Sequence, residues 1–424
     1  MKKNSLFICF MLFFSNLSAQ KIYTIDECKQ MAMENNRKIK SSTMEISVSE
    51  HAQKEAFTNY FPSLSATGLG FKAKDPFVSM NMDGTPVTFL DDGLTGSIML
   101  SQPVFVGGKI VYGNKLSKLA LNVSRQQLRL SENEVMLHVE NLYWELISLY
   151  EKVNTINILD ELLTSLYADV EISFKAGLIT RNDLLEVKLK QNSLKSNKID
   201  LENGIKLCKM SLCQLIGIDI TGYEDFDIAK KSIEKVDNPE LYYIDHFEAM
   251  ENRAEKKLLE DNVKIAKYQT KMKRADYLPS VAVGAAYFKH NFMDKWEGNS
   301  AAFISVSIPI TDWWKGSHAI KQQKIKEQIA VNNKIDTQEQ LLIQMQNIRN
   351  ELDKAYRQLL IEEESIEQAN ENLRINKDNY KAGIINMSDL LNAQSILQQC
   401  RDKRAEAFAS YQKKRCEYLQ VTGR

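Results

Sequence analysis

The chain has no surplus of either charge: 55 Lys and Arg stand against 55 Asp and Glu in 424 residues. A protein that grips nucleic acid by its phosphates needs a basic excess or stripe, so nucleic acid is not an expected partner. Histidine is scarce, and the five (51, 138, 246, 290 and 318) are dispersed, with no HExxH or other ligand spacing. GxSxG, GxGxxG and P-loop motifs are all missing. No enzyme activity, cofactor or metal site is therefore expected. Cysteine is sparse too. Cys28, Cys208, Cys213, Cys400 and Cys416 follow the N-terminal segment, an odd number with no CxxC pair. They read as packed thiols rather than a disulfide framework. Past the N-terminus no apolar run approaches ~18 residues, so no helix is expected to span a membrane. A β-barrel span escapes that test, because its strands are short and only alternately apolar.

The segment Met1 to Gln20, MKKNSLFICFMLFFSNLSAQ, places two lysines before an apolar run and then the small residues Ser18 and Ala19. This is the pattern of a secretory signal peptide, with cleavage expected near Ala19 or Gln20. No cysteine follows the small residues, so no lipid anchor is expected. The mature chain is expected to be exported.

Proline is also sparse, and its placement divides the chain. The seven prolines are Pro62, Pro76, Pro86, Pro103, Pro239, Pro279 and Pro309, leaving 108–238 and 310–424 without any. Proline breaks helix interiors, so long helices belong in those two tracts. The Pro-flanked stretches alternate small or polar residues with apolar ones, as in Leu64 to Phe71, Gly96 to Ser101, Val281 to Gly284 and Phe303 to Ile308. These are strand candidates with proline at their ends.

The strongest signal is an internal duplication. Ala32-Met33-Glu34-Asn35 recurs as Ala249-Met250-Glu251-Asn252, and Tyr60-Phe61-Pro62-Ser63 as Tyr277-Leu278-Pro279-Ser280, both at an offset of 217. Phe174-Lys175-Ala176-Gly177-Leu178-Ile179 recurs as Tyr380-Lys381-Ala382-Gly383-Ile384-Ile385, now at 206. The offset shortens between the two strands of the second copy, in a loop that tolerates length change. Each copy reads as helix, strand, strand, long helix, turn, helix. The first spans 21–215, with strands at 62–74 and 94–105 and its long helix at 110–173. A linker follows at 216–239. The second copy spans 240–424, with strands at 279–289 and 300–310 and its long helix at 316–379.

The turns can be read in detail. Gly177 and Gly383 suit the left-handed position just past a helix end. Thr180-Arg181-Asn182-Asp183 has the form of a capping box, and Asn386 to Asp389 does the same with Asn as cap. The long helices, about 64 residues each, would run roughly 95 Å. Rods this long need neighbours to bury their apolar seams. Four strands per chain cannot close a barrel, and exposed strand edges demand partners, so oligomerisation is expected. Three copies would give twelve strands. Trp313 and Trp314 follow Pro309, with Phe105 before Gly107 and Gly108 at the matching place. They read as anchors at the membrane–water interface.

With these elements in order, the chain resembles the outer membrane efflux protein (TolC) family from about Tyr23 to its C-terminus. The likeness rests on the AMEN-type first helix, Tyr-x-Pro-Ser entering a strand, Gln102 to Lys109, and the paired turns ending in Asp-Leu-Leu. It implies a mainly α fold with a membrane β-barrel part. A homotrimer would form a 12-stranded outer-membrane barrel continued by a 12-helix periplasmic α-barrel, with 216–239 in an equatorial belt. The implied function is that of an exit duct in a tripartite efflux pump or type I secretion system. Its partners would be a periplasmic adaptor (membrane fusion) protein, an inner-membrane RND, ABC or MFS transporter, and outer membrane lipid. The periplasmic tip and adaptor contact would involve Phe174, Gly177, Leu178, Thr180, Asp183, Tyr380, Gly383, Ile384 and Asn386. The channel constriction would fall at Asp183, Tyr380, Asp389 and Asn392. Asn392 and Ile385 replace an acidic residue and an Arg found in some members. The alternative reading is a periplasmic coiled-coil adaptor or scaffold, which should lack alternating strands repeated between its helices.

Overall fold

The computed structural model describes residues 21–75, 78–82, 85–89, 92–229, 235–291 and 295–424. The signal-peptide segment lies outside the described residues. In chain order the elements are β1 (Lys21–Tyr23), α1 (Ile25–Asn35), α2 (Arg37–Thr58), β2 (Ser63–Lys72), β3 (Val78–Met82), β4 (Thr85–Phe89), β5 (Asp92–Val106), α3 (Lys109–Lys175) and α4 (Arg181–Ile216). They continue with β6 (Phe226–Ile228), α5 (His246–Asn252), α6 (Ala254–Ala275), β7 (Ser280–Asn291), β8 (Trp296–Ser307), α7 (Asp312–Lys381) and α8 (Met387–Val421). Each long Pro-free tract opens with one unbroken helix, of 67 residues in α3 and 70 in α7, about 100 Å each. No helix among the described residues is apolar enough to cross a membrane.

Two compact units emerge, and neither is a sequence copy. Among the described residues, one comprises 21–40, 131–246 and 344–424, and the other falls within 41–130 and 247–343. Each unit draws on both copies, because the long helices carry every copy through both.

The first unit is helical. Its core holds Tyr143, Trp144, Leu146, Ile147, Leu212 and Tyr411, all buried. The segment after α4 is fastened by tyrosine hydroxyls. Tyr143 donates to the Ala229 carbonyl at 3.0 Å, Tyr411 donates to the Asp237 carbonyl at 2.7 Å, and Tyr150 donates to the Asp227 carboxylate. Within this segment β6 pairs in parallel with the N-terminal β1. A stretch with little core of its own is thus held by polar bonds to α3 and α8.

The second unit contains the sheet, ordered β2-β5-β7-β8 and antiparallel throughout. Gly107 and Gly108 turn β5 into α3 with φ of 66° and 85°. A Cβ on Gly107 would lie 2.8 Å from the Ala275 carbonyl, so this turn needs glycine on both steric and dihedral grounds. Between β2 and β5 the chain also forms a small antiparallel pair, β3 with β4. From sequence this stretch reads as a variable loop. Pro86 inside β4 hides the strand, and proline is tolerated because a two-stranded pair has free edges.

From sequence, 25–58 reads as one helix. The structure breaks it at Asn36, whose φ and ψ are −61° and 130°. The Asn36 side chain accepts from the Lys38 amide at 2.9 Å and donates to the Leu215 carbonyl at 2.8 Å, so it re-caps the chain where the helix stops. The second copy breaks at Arg253, with φ −74° and ψ 138°, at the same offset of 217. The duplication therefore preserves the break while changing the residue that makes it.

Candidate functional site

Two regions carry the candidate residues: the helix-to-helix turns of the first unit and the sheet of the second.

Both turns are built alike. The Gly177 amide bonds the Phe174 carbonyl at 2.9 Å and the Leu178 amide bonds Ser173 at 3.0 Å. Gly383 and Ile384 repeat this onto Tyr380 and Asn379 at 3.0 and 2.9 Å. This paired pattern with φ of 72° and 71° is a Schellman stop. Reciprocal capping boxes then restart the chain. Thr180 and Asp183 cap α4, and Asn386 and Asp389 cap α8. Stop and start codes this close leave no freedom for the turn except to project Leu178 and Ile384, which are 78% and 72% exposed.

Beneath the turns lies an apolar cluster of Leu163, Val170, Val187, Met387 and Leu390, with Tyr380 packed against it. A cleft of about 650 Å³ opens beside the cluster. Leu178, Thr180, Asp183, Tyr380, Gly383 and Asn386 all line it. Phe174, Gly177, Ile384, Asp389 and Asn392 do not. Burial raises the Tyr380 hydroxyl above its ordinary range, and the nearby Asp183 carboxylate adds to that. Tyr380 is therefore a neutral hydrogen-bonding group at neutral pH.

Of the expected constriction residues, Asp183 and Tyr380 share the cleft. Asp389 and Asn392 are exposed on α8. Both aspartates already accept cap hydrogen bonds, from Thr180 N–H at 3.0 Å and Asn386 N–H at 3.3 Å. Sequence reasoning missed Asp169, Lys377 and Lys381, which also line the cleft. The spacing of Lys377, Tyr380 and Lys381, i, i+3 and i+4 on one helix, was the available signal.

In the sheet, side chains paired in register share a face. One face carries Leu64, Leu100, Ile98, Tyr287, Val283 and Ile304. The other carries Ser63, Ser101, Thr67, Ser97, Asn299 and Ser305, with Phe288 and Phe303 among them. A mostly polar strip backs an apolar one, although the apolar side chains are exposed in the single chain: Leu64 is 70% and Ile304 74% accessible. Phe105 joins the apolar face opposite Val281, just past the irregularity at Pro103. Trp313 and Trp314 do not stand on the strand, which ends at Ser307; they fall in the first turn of α7. Trp314 is 85% exposed, and the Trp313 side chain lies outside the described residues. Among the described residues no group of three His, Cys, Asp or Glu could hold a metal ion.

This fold is that of the outer membrane channels. The chain is similar to the outer membrane protein VceC from Vibrio cholerae, with 15% identity, TM-score 0.78, and 94% of this chain and 96% of that one covered. It is similar to the Campylobacter jejuni CmeC outer membrane channel at 16% identity and TM-score 0.78, covering 94% and 85%. The open-state MtrE outer membrane channel of Neisseria gonorrhoeae is matched at 13% identity and TM-score 0.74, covering 94% and 88%. No curated protein sequence matches. Residues 248–424 match the family model described as outer membrane efflux protein. The first copy shares its layout without matching the family model.

Proposed function

We propose that the chain is one protomer of a homotrimeric outer-membrane exit duct. It would pass substrates delivered by an inner-membrane RND, ABC or MFS transporter through a periplasmic adaptor, without performing chemistry itself. The observation that carries this reading is the sheet. Its edge strands, β2 and β8, have no further partner among the described residues and run in opposite directions. Copies can therefore add edge to edge in antiparallel fashion, and three copies make a twelve-stranded ring. Closure removes every edge. It also gives the apolar face to lipid and the Ser/Thr-rich face to a wet lumen. In water the exposed Leu64, Ile98 and Ile304 would each forfeit about 1.5–3 kcal/mol of burial. A soluble adaptor has no use for such a face.

The helical unit would then lie in the periplasm, and the 176–180 and 382–386 turns would form its tip. Leu178 and Ile384 offer apolar knobs to an adaptor. Asp183 and Tyr380, which line one cleft, would narrow the passage. Phe105 and Trp314 would anchor the periplasmic side of the barrel. The family match and the channel fold support this reading.

Membrane fractionation with cross-linking tests it. The expected result is a cross-linked trimer in the outer membrane that conducts ions in planar bilayers. Recovery as a soluble periplasmic monomer overturns the proposal.

A further inference from the structure

On the apolar sheet face the rows run from Phe105–Val281–Val306 through Leu64–Leu100–Ala285–Ala302 to Ala66–Ile98–Tyr287–Ser300. The next row breaks the pattern: it is Gly68–Gly96–Lys289–Gly298. The row beyond it is Gly70–Leu94–Asn291–Trp296. Between Val281 and Trp296, Lys289 is the one charged side chain on this face among the described residues. It makes no ion pair among the described residues; its Nζ sits 5.4 Å from the centre of the Trp296 ring. A Cβ built on Gly96, its partner in register, meets nothing within 4 Å. A shallow groove of about 360 Å³ runs there, lined by Gly68, Gly96, Ile98, Tyr287 and Lys289.

We propose that this groove seats the phosphate of an anionic lipid from the outer leaflet, with Lys289 as the charge that holds it. The inference rests on the membrane reading above. From Val281 to Lys289 the strand covers eight steps, about 27 Å. At a usual barrel tilt that is roughly 20 Å of height, close to the ~25 Å apolar band of such barrels. Lys289 therefore stands at the far edge of the band, where lipid phosphates begin. Tyr287 and Trp296 flank it, 47% and 51% exposed, as aromatic residues do at an interface. The cation has a ring behind it and open space before it. An anion at headgroup depth would pair with it there.

The test places purified trimer in nanodiscs of phosphatidylcholine with a minor fraction of phosphatidylglycerol. Lipids retained by the protein are counted by native mass spectrometry. Wild type should hold phosphatidylglycerol at about fivefold above its bulk ratio, the effect of one basic group near an anionic surface. Lys289→Gln should fall to the bulk ratio. Lys295→Gln, beyond the strand and paired with Glu297, should keep the enrichment. Equal retention by wild type and Lys289→Gln overturns the proposal, as does a loss in Lys295→Gln as large as that in Lys289→Gln. Failure to enter nanodiscs as a trimer counts against the duct reading itself; entry without lipid preference overturns only the lipid site.

Discussion

Replacing Gly383 with valine tests the tip turn where its physics is simplest. A Cβ at this position meets no atom within 4 Å, so the substitution creates no clash with neighbours. The whole cost is local. With φ at 71°, an L residue is held in the left-handed region. That costs about 1–2 kcal/mol, with a β-branched side chain at the upper end. The hydrogen bonds at stake are Gly383 N–H to the Tyr380 carbonyl at 3.0 Å and Ile384 N–H to Asn379 at 2.9 Å. A destabilisation of that size raises the open fraction of the turn roughly 5- to 30-fold. Hydrogen exchange of those two amides should accelerate by the same factor in Gly383→Val. Asparagine tolerates the left-handed region, so Gly383→Asn should change exchange only slightly. Trimer in the outer membrane should stay at wild-type abundance while dye efflux falls. Wild-type exchange in the valine variant, or equal acceleration in both variants, would refute the backbone argument. Normal efflux in both Gly177→Val and Gly383→Val would count against a working tip.

Removing the caps with Thr180→Ala and Asn386→Ala should each cost about 1 kcal/mol of local helix stability, read by exchange in the first turns of α4 and α8. Burial pushes the Cys28, Cys208 and Cys416 thiols up to about 12 and Cys213 to about 11. A thiol reagent at pH 8 should therefore leave Cys28, Cys208, Cys213 and Cys416 unmodified in the native protein and label them after denaturation; rapid labelling of Cys28 in the native protein would contradict the packing. Burial pushes Asp402 up to about 6, with Lys152 opposing and Glu406 adding. Its folded value is above the unfolded one, so the stability it contributes is full at acid pH and fades as pH rises through 6. Asp402→Asn should raise the melting temperature at pH 8 and leave it nearly unchanged at pH 4.

Much of this molecule was legible because its sequence repeats. Gly177 and Gly383 marked two helix ends in the same context, and Thr180 and Asn386 marked two restarts. Local backbone rules act within a few residues, so a stop-and-start code could be read without knowing the fold. Alternation around Val281 and Phe303 likewise marked strands, since side-chain period follows from strand geometry alone. Register was not legible in this way. Which residues share a face with Lys289 depends on pairing across four strands drawn from both copies of the repeat, far apart along the chain.

The sequence by itself determined the duplicated order of elements, the two long Pro-free helices, and the residue types at the turns. Those follow from proline, glycine and capping chemistry acting locally. Only the tertiary structure decided that Asp183 and Tyr380 share a cleft while Asp389 and Asn392 stand outside it. It alone drew Trp313 and Trp314 into the first turn of a helix and left Lys289 exposed among glycines. Each of these depends on how distant segments pack, because a side chain's surroundings are set by neighbours that its own stretch of chain does not contain.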